Sequence, residues 1–238
     1  MLRTFVLTLL CLIAAPLHAG SPPAQVVVLS TLHQLHAEVP GYSFEDLSHA
    51  IERLAPDVLC VEVTAARLAS RAPEQTKREY PDAIYPLIDA HSYRVYPMEP
   101  SEPLYGALVQ PYVAANRAFA EGKPLDATAL DAYGEGVYAG MRAYWTTPAR
   151  ANDAVTDQVM RAKHSLQEAL VGPGEHAGWK AWNEHFLGVI AQAAAENPGK
   201  RIVVTVGAEH GYWLRERAAQ LPGVVLLDTA ALLDESAG

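Results

Sequence analysis

Runs of β-branched residues alternate along the chain with stretches in which apolar side chains return every three or four positions, the pattern of a mostly parallel sheet with helices on its faces. Residues 25–30 are too continuously apolar for a half-exposed strand and suit a central parallel one. Ser43 then opens a helix with Asp46 three residues on, a capping-box spacing, and Leu47, Ile51 and Leu54 form its apolar face. Residues 58–63 give a second strand, a helical region follows over 80–90, and residues 93–98 give a third strand. From Pro103 to about Asn197 the chain turns Ala-rich and helical, and breaks at Pro111, Gly122, Pro148 and Gly172-Pro173-Gly174 divide it into four helices. The last carries Trp179, Trp182, Phe186, Val189, Ile190 and Ala193 on one stripe, which reads as core. The sheet resumes at 201–206, followed by a helix over 211–221 and a final strand over 224–228. The expected fold is α/β: a mostly parallel open sheet of about five or more strands flanked by helices, with a helical insertion at about 103–197 before the C-terminal strands.

The first nineteen residues stand apart from this pattern. A basic start, Met1-Leu2-Arg3, leads into an uncharged apolar run from Thr4 to Pro16 and ends at the small residue Ala19, as a secretory signal peptide does. The expected organisation is a signal peptide at 1–19 and one domain at 20–238, exported to the periplasm or secreted, with no membrane span because no later run is long enough. Export would leave Cys60 as the sole cysteine, a thiol expected to be buried in a strand. Half the residues are hydrophobic and 19% charged, which excludes a disordered or coiled-coil chain. With 18 Lys+Arg against 27 Asp+Glu and no basic run, nucleic acid is not an expected partner.

Polar residues then fall at the carboxyl ends of the strands, where an open α/β sheet places its chemistry. His33 and His36 follow the first strand, Glu62 ends the second, Glu99 follows the third, and Glu209-His210 follow the fourth after Gly207. Imidazoles and carboxylates converging on one edge suit either a divalent metal (zinc, manganese or cobalt) or a His/Glu acid–base pair. His49, His91, His164, His176 and His185 have no matching partner and read as structural. Neither a dinucleotide nor a phosphate-binding glycine loop is present, and no serine-hydrolase elbow or H-E-x-x-H helix.

The segments Val-Val-Val-Leu-Ser30-Thr-Leu-His33, Asp57-Val-Leu-Cys-Val-Glu62 and Val206-Gly207-Ala208-Glu209-His210 together resemble the TraB/PrgY/GumN (TIKI) family of the erythromycin-esterase/ChaN-like superfamily, with Ser30 at the position of that family's first glycine. The resemblance covers roughly residues 25–65 and 200–228, and Arg150-Ala-Asn152-Asp153 looks like its central Arg-containing motif. It implies a hydrolase-like pocket between the sheet edge and the insertion, acting on a peptide or small-molecule substrate. In that reading His33, Glu62 and His210 hold a divalent metal or activate water directly, and Arg150 stabilises the developing oxyanion. His36, Glu99, Asn152 and Glu209 support them from behind or touch the same substrate oxygen. The superfamily's haem-binding members imply an alternative: a ligand-binding protein in which Tyr80, Tyr85, Tyr93, Tyr96, Tyr105 or Tyr112 supplies an axial ligand or a stacking face for haem.

Overall fold

The structure, a computed structural model, describes residues 21–73 and 75–234; the expected signal peptide lies outside them. Among the described residues five strands form one sheet: β1 (Ala24–Thr31), β2 (Val58–Thr64), β3 (Arg94–Glu99), β4 (Arg201–Gly207) and β5 (Val224–Leu226). They lie in the order β3-β2-β4-β1-β5, and every pairing is parallel. β4 enters between β1 and β2, pairing Gln25 with Arg201 on one side and Val58 with Ile202 on the other. Parallel pairing brings all carboxyl ends to the same edge. The interior strands are closed off on both faces, which is why Val26 to Leu29 and Ile202 to Val204 are continuously apolar.

The helix α1 (Phe44–Leu54) carries the capping box its sequence announces: Ser43 Oγ accepts from the Asp46 N–H at 3.2 Å and the Asp46 carboxylate accepts from the Ser43 N–H at 2.8 Å. A short helix that the pattern does not announce, α2 (Ala65–Ser70), follows β2 directly. The 80–90 region divides into a π-helical turn at Tyr80–Ile84 and α3 (Tyr85–Ala90). Pro86 offers no N–H to the ladder, and the Tyr85 N–H reaches back to the Tyr80 carbonyl instead.

The insertion consists of α4 (Leu104–Gly122), α5 (Pro124–Tyr144), α6 (Ala154–Val171) and α7 (Pro173–Glu196). The apolar stripe of α7 serves two ends. Phe186, Ile190 and Ala193 are buried in the core of the sheet with Trp182 packed against it, and Trp179, also buried, lines a cleft together with Trp182, so the stripe is core as expected and its first turns also form a cleft wall. After β4 the helix α8 (Ala208–Ala218) begins three residues earlier than its pattern suggests, so Glu209 and His210 stand in its first turn. The last helix among the described residues is α9 (Thr229–Leu233), and β5 is a three-residue strand at the edge of the sheet, paired with β1 alone. Among the described residues no helix is long and apolar enough to cross a membrane.

Candidate active site

Between the carboxyl edge of the sheet and the insertion lies a cleft of about 1220 Å³. His33, Glu62, Gly207 and His210 line its sheet side, and Tyr138, Lys163 and Trp179 line the insertion side.

Glu62 is the fixed point. It is buried near the end of β2, and its Oε2 accepts from the Gly207 N–H at 2.7 Å while Oε1 faces Lys77 Nζ at 3.0 Å. Burial would raise its pKa, yet the charges of Lys77, His33 and His210 and the Gly207 N–H hold it at about 2. Lys77 in turn donates to the Glu62 carbonyl at 3.0 Å and to Glu99, so the ammonium is committed on every side. Glu99 thus acts on the site through Lys77.

His33 leaves β1 with φ 53, a left-handed conformation that costs a non-glycine residue about 1 kcal/mol. That turn lays the ring across Gly207, where a β-carbon would stand 2.4 Å from His33 Nε2; only glycine permits the approach. Behind the ring, His33 Nδ1 meets Glu79 Oε1 at 2.6 Å, and Glu79 is fully buried. Thr31 Oγ1 donates to the same oxygen at 3.1 Å, while Glu79 Oε2 has no partner among the described residues. Burial lowers the His33 pKa, but the charge and hydrogen bond of Glu79 outweigh it and raise the value above the ordinary one. Nothing periodic or motif-like marks Glu79, and sequence reasoning passed over it.

His210 has the opposite surroundings. Its Nδ1 lies 2.9 Å from Asn183 Oδ1, and the Asn183 amino group donates to the Trp179 carbonyl, which fixes the amide so that its oxygen faces the ring. Nδ1 therefore carries the proton, and the bare Nε2 looks at Glu62 Oε1 across 3.9 Å. Trp179 stacks on His210 at 4.4 Å between centroids, with Phe186 at 5.3 Å. Burial pushes the His210 pKa down to about 4 in spite of Glu62. The other face of Trp179 stacks on His164 at 3.9 Å, and His164 Nε2 is bonded to Glu209 at 2.8 Å. His164 thus has a partner that its sequence context does not reveal. Glu209 also receives Lys163 at 2.8 Å and the Tyr138 hydroxyl, and against its burial the hydrogen bond from His164 and the charge of Lys163 hold it well below the usual carboxylate range. It ties the insertion to the sheet edge.

Other expected members stand elsewhere. Arg150 is exposed, folded onto Tyr144 and the α6 cap residue Asp153, and it does not line the cleft. The turn at Arg150–Asn152 points the guanidinium outward because Asp153, freed to cap α6, supplies its counter-charge. Asn152 is buried, with its Oδ1 accepting from the Ser30 N–H and from Arg215, both at 2.7 Å, so it joins the insertion to β1. His36 is buried too: Nε2 accepts from the Leu32 N–H at 2.9 Å and Nδ1 bonds the Tyr42 carbonyl at 2.6 Å, a loop clasp whose burial lowers the pKa to about 4. Cys60 is enclosed in β2, and burial pushes its thiol up to about 12.

The metal and haem expectations meet this geometry with different donors from those they require. The Lys77 ammonium stands 3.0 Å from Glu62 Oε1, the oxygen that faces His210, so a cation is already in place beside that carboxylate, while His33 and His210 each hold a partner at Nδ1 and leave Nε2 free. Among the described residues no group of three His, Cys, Asp or Glu side chains could hold a metal ion. Of the six tyrosines proposed for haem, only Tyr112 lines the cleft, and its hydroxyl already accepts from Gln167 at 3.2 Å. Comparisons with protein families, with curated proteins and with solved structures find no match for this chain.

Proposed function

We propose that this chain is a hydrolase of acyl bonds, an esterase or amidase, that activates water with its own side chains. The observation that carries the reading is the pair of histidines on either side of one buried carboxylate, with surroundings that drive their proton affinities apart. His210, neutral and with Nε2 bare, is the base. A water that donates one hydrogen to Nε2 and the other to Glu62 Oε1 bridges the 3.9 Å between them, and its lone pair is left for the acyl carbon. As the oxygen–carbon bond forms, the proton passes to His210 Nε2. His33, holding its proton against Glu79, donates from Nε2 to the departing oxygen or nitrogen as the acyl bond breaks. Exchange with solvent then takes the proton from His210 and restores the one on His33. Glu62 keeps its charge throughout, and Lys77 balances it. The resemblance carried by His33, Glu62 and His210 to TraB/PrgY/GumN proteins supports hydrolysis at these residues, with a metal or without one, and the leader-like residues 1–19 support an exported protein, periplasmic or secreted.

The test is a screen of p-nitrophenyl esters and peptide anilides with the purified chain, with and without a metal chelator. Chelator-resistant hydrolysis that falls about 10²-fold or more in both His33→Ala and His210→Ala is the expected result. Activity lost to the chelator and restored by zinc, manganese or cobalt would sink the water-activation scheme in favour of a metal.

A further inference from the structure

Opposite His33 and His210 the cleft is closed by a wall of the insertion that the hydrolytic scheme leaves without a task. Tyr112 and Asn116, one turn apart on α4, and Gln167 on α6 line it. Behind them Glu175, in the first turn of α7, is fully buried. Asn116 Nδ2 donates to one oxygen of its carboxylate and Gln167 Nε2 to the other, the latter at 2.8 Å. The second N–H of each amide is used as well, by the Tyr112 carbonyl at 2.9 Å and the Tyr112 hydroxyl at 3.2 Å. With both amino groups committed, the amide oxygens of Asn116 and Gln167 are turned away from Glu175, and neither has a hydrogen-bond donor among the described residues. Burying a carboxyl group is unfavourable, and burial lifts Glu175 to about 7. Its effect here is to fix two acceptors on adjacent helices in one orientation.

The charges of the cleft narrow what those acceptors meet. Lys77 is held by Glu62 and Glu99, Lys163 by Glu209 at 2.8 Å, and Arg142 by Glu38 at 3.5 Å, so each cation lining the cleft has its own carboxylate. An anionic ligand would have to displace one of them. Asp131 and Glu135 line the cleft from α5, but at this wall the free acceptors are neutral amide oxygens and the carboxylate behind them, Glu175, is already shared between Asn116 and Gln167, so nothing there holds a cation in preference to a neutral donor. The remaining class is a neutral ligand rich in hydrogen-bond donors. The Tyr112 hydroxyl accepts from Gln167 and keeps its own hydrogen to give, so the ligand must also accept. Neighbouring hydroxyls on one ring do both, and the C–H face of such a ring lies against an aromatic side chain such as Tyr112 or Tyr138.

Resting on the hydrolytic reading of the opposite wall, we propose that Tyr112, Asn116 and Gln167, oriented by Glu175, form a subsite for the neutral, hydroxyl-bearing part of the substrate, a sugar ring or similar cyclic polyol, and that the bond hydrolysed is an acyl ester or amide carried on that ring.

Saturation-transfer NMR on the full chain tests this with methyl glucoside as probe, its fully O-methylated form as the donor-free control, and N-acetylglycine methylamide as a peptide-like control. The expected result is saturation of the glucoside ring protons, none for the methylated form, and binding weakened about ten-fold by Asn116→Leu and by Gln167→Met. Glu175→Gln, which frees the amides to turn over, weakens it similarly. Should that variant not fold, the two half-buried surface substitutions carry the test alone. Absence of glucoside binding in the wild type, equal binding in the variants, or binding of the peptide-like control instead overturns the subsite. His33→Ala separates the two readings, since it abolishes hydrolysis and leaves the glucoside signal intact. A wild type that binds glucoside but hydrolyses no ester or anilide rejects the catalysis and keeps the subsite; hydrolysis without glucoside binding does the reverse.

Discussion

Glu79 stands behind His33 as Asn183 stands behind His210, and the difference between a carboxylate and an amide decides which imidazole keeps its proton. A rate that needs His210 bare and His33 protonated rises as pH climbs through about 4 and falls as pH climbs through the raised value of His33. Glu79→Gln removes the negative charge that raises His33, so the alkaline limb of kcat/KM is expected to move to lower pH while the acid limb stays. An unmoved alkaline limb in a pH–rate profile would assign that limb to another group. Gly207→Ala tests the close approach itself: its β-carbon would stand 2.4 Å from His33 Nε2, and displacing the ring is expected to lower kcat/KM by about 10²-fold while circular dichroism stays native. The sequence displays His33, Glu62 and His210 because each follows or ends an apolar strand. It hides Glu79, 46 residues from His33 in a polar stretch, because only the folded loop brings the two together. Arg150 misleads for the complementary reason: a charged residue beside a helix cap satisfies itself locally.

The elements were legible where local chemistry alone forms them. Continuous β-branched runs mark β1, β2 and β4, the Ser43–Asp46 box marks α1, and Pro and Gly breaks mark the four helices of the insertion. The start of α8 was not, since Gly207 and Gly211 suggest a loop. Gly207 in fact caps the helix with φ −53 and ψ 142, and Gly211 lies inside the helix as a glycine because a β-carbon there would meet Ser30 Oγ at 2.6 Å. The glycines of α5 have no such reason. A β-carbon at Gly136 or Gly140 would meet nothing within 4 Å, and one at Gly134 only Lys163 Cε at 3.8 Å. Each glycine in a helix interior costs about 1 kcal/mol relative to alanine. α5 overhangs the cleft with Leu125 and Tyr133 exposed, so few contacts offset that loss. Replacing all three glycines by alanine is expected to slow amide hydrogen exchange across 124–144 by about ten-fold or more, with little change over the sheet. Unchanged exchange in α5 would mean that its packing, not its glycines, sets its opening.

For the whole molecule, the buried imidazoles and the buried carboxylate make folding itself dependent on pH. His36 and His210, near 6.5 when unfolded, are both held at about 4 in the fold. Their lowered values mean that the unfolded chain takes up protons first, so their contribution is complete above 6.5 and is lost as pH falls toward 4. Glu62, lowered from 4.5 to about 2, adds a second loss between those values. His33 has the other sign, because its contribution is complete below 6.5 and is lost as pH rises through its raised value. Urea titrations between pH 7 and pH 4 are therefore expected to show unfolding free energy falling by up to about 2.7 kcal/mol per pH unit from the two lowered histidines together. His36 takes no part in the proposed chemistry, and its clasp joins the Leu32 N–H to the Tyr42 carbonyl. His36→Gln, which carries no titrating group, should halve that slope and leave the pH–rate limbs where they are. Stability that stays level from pH 6.5 to pH 4 in the wild type would show that these imidazoles take up protons without unfolding, and would remove the low proton affinity on which His210 depends as the base.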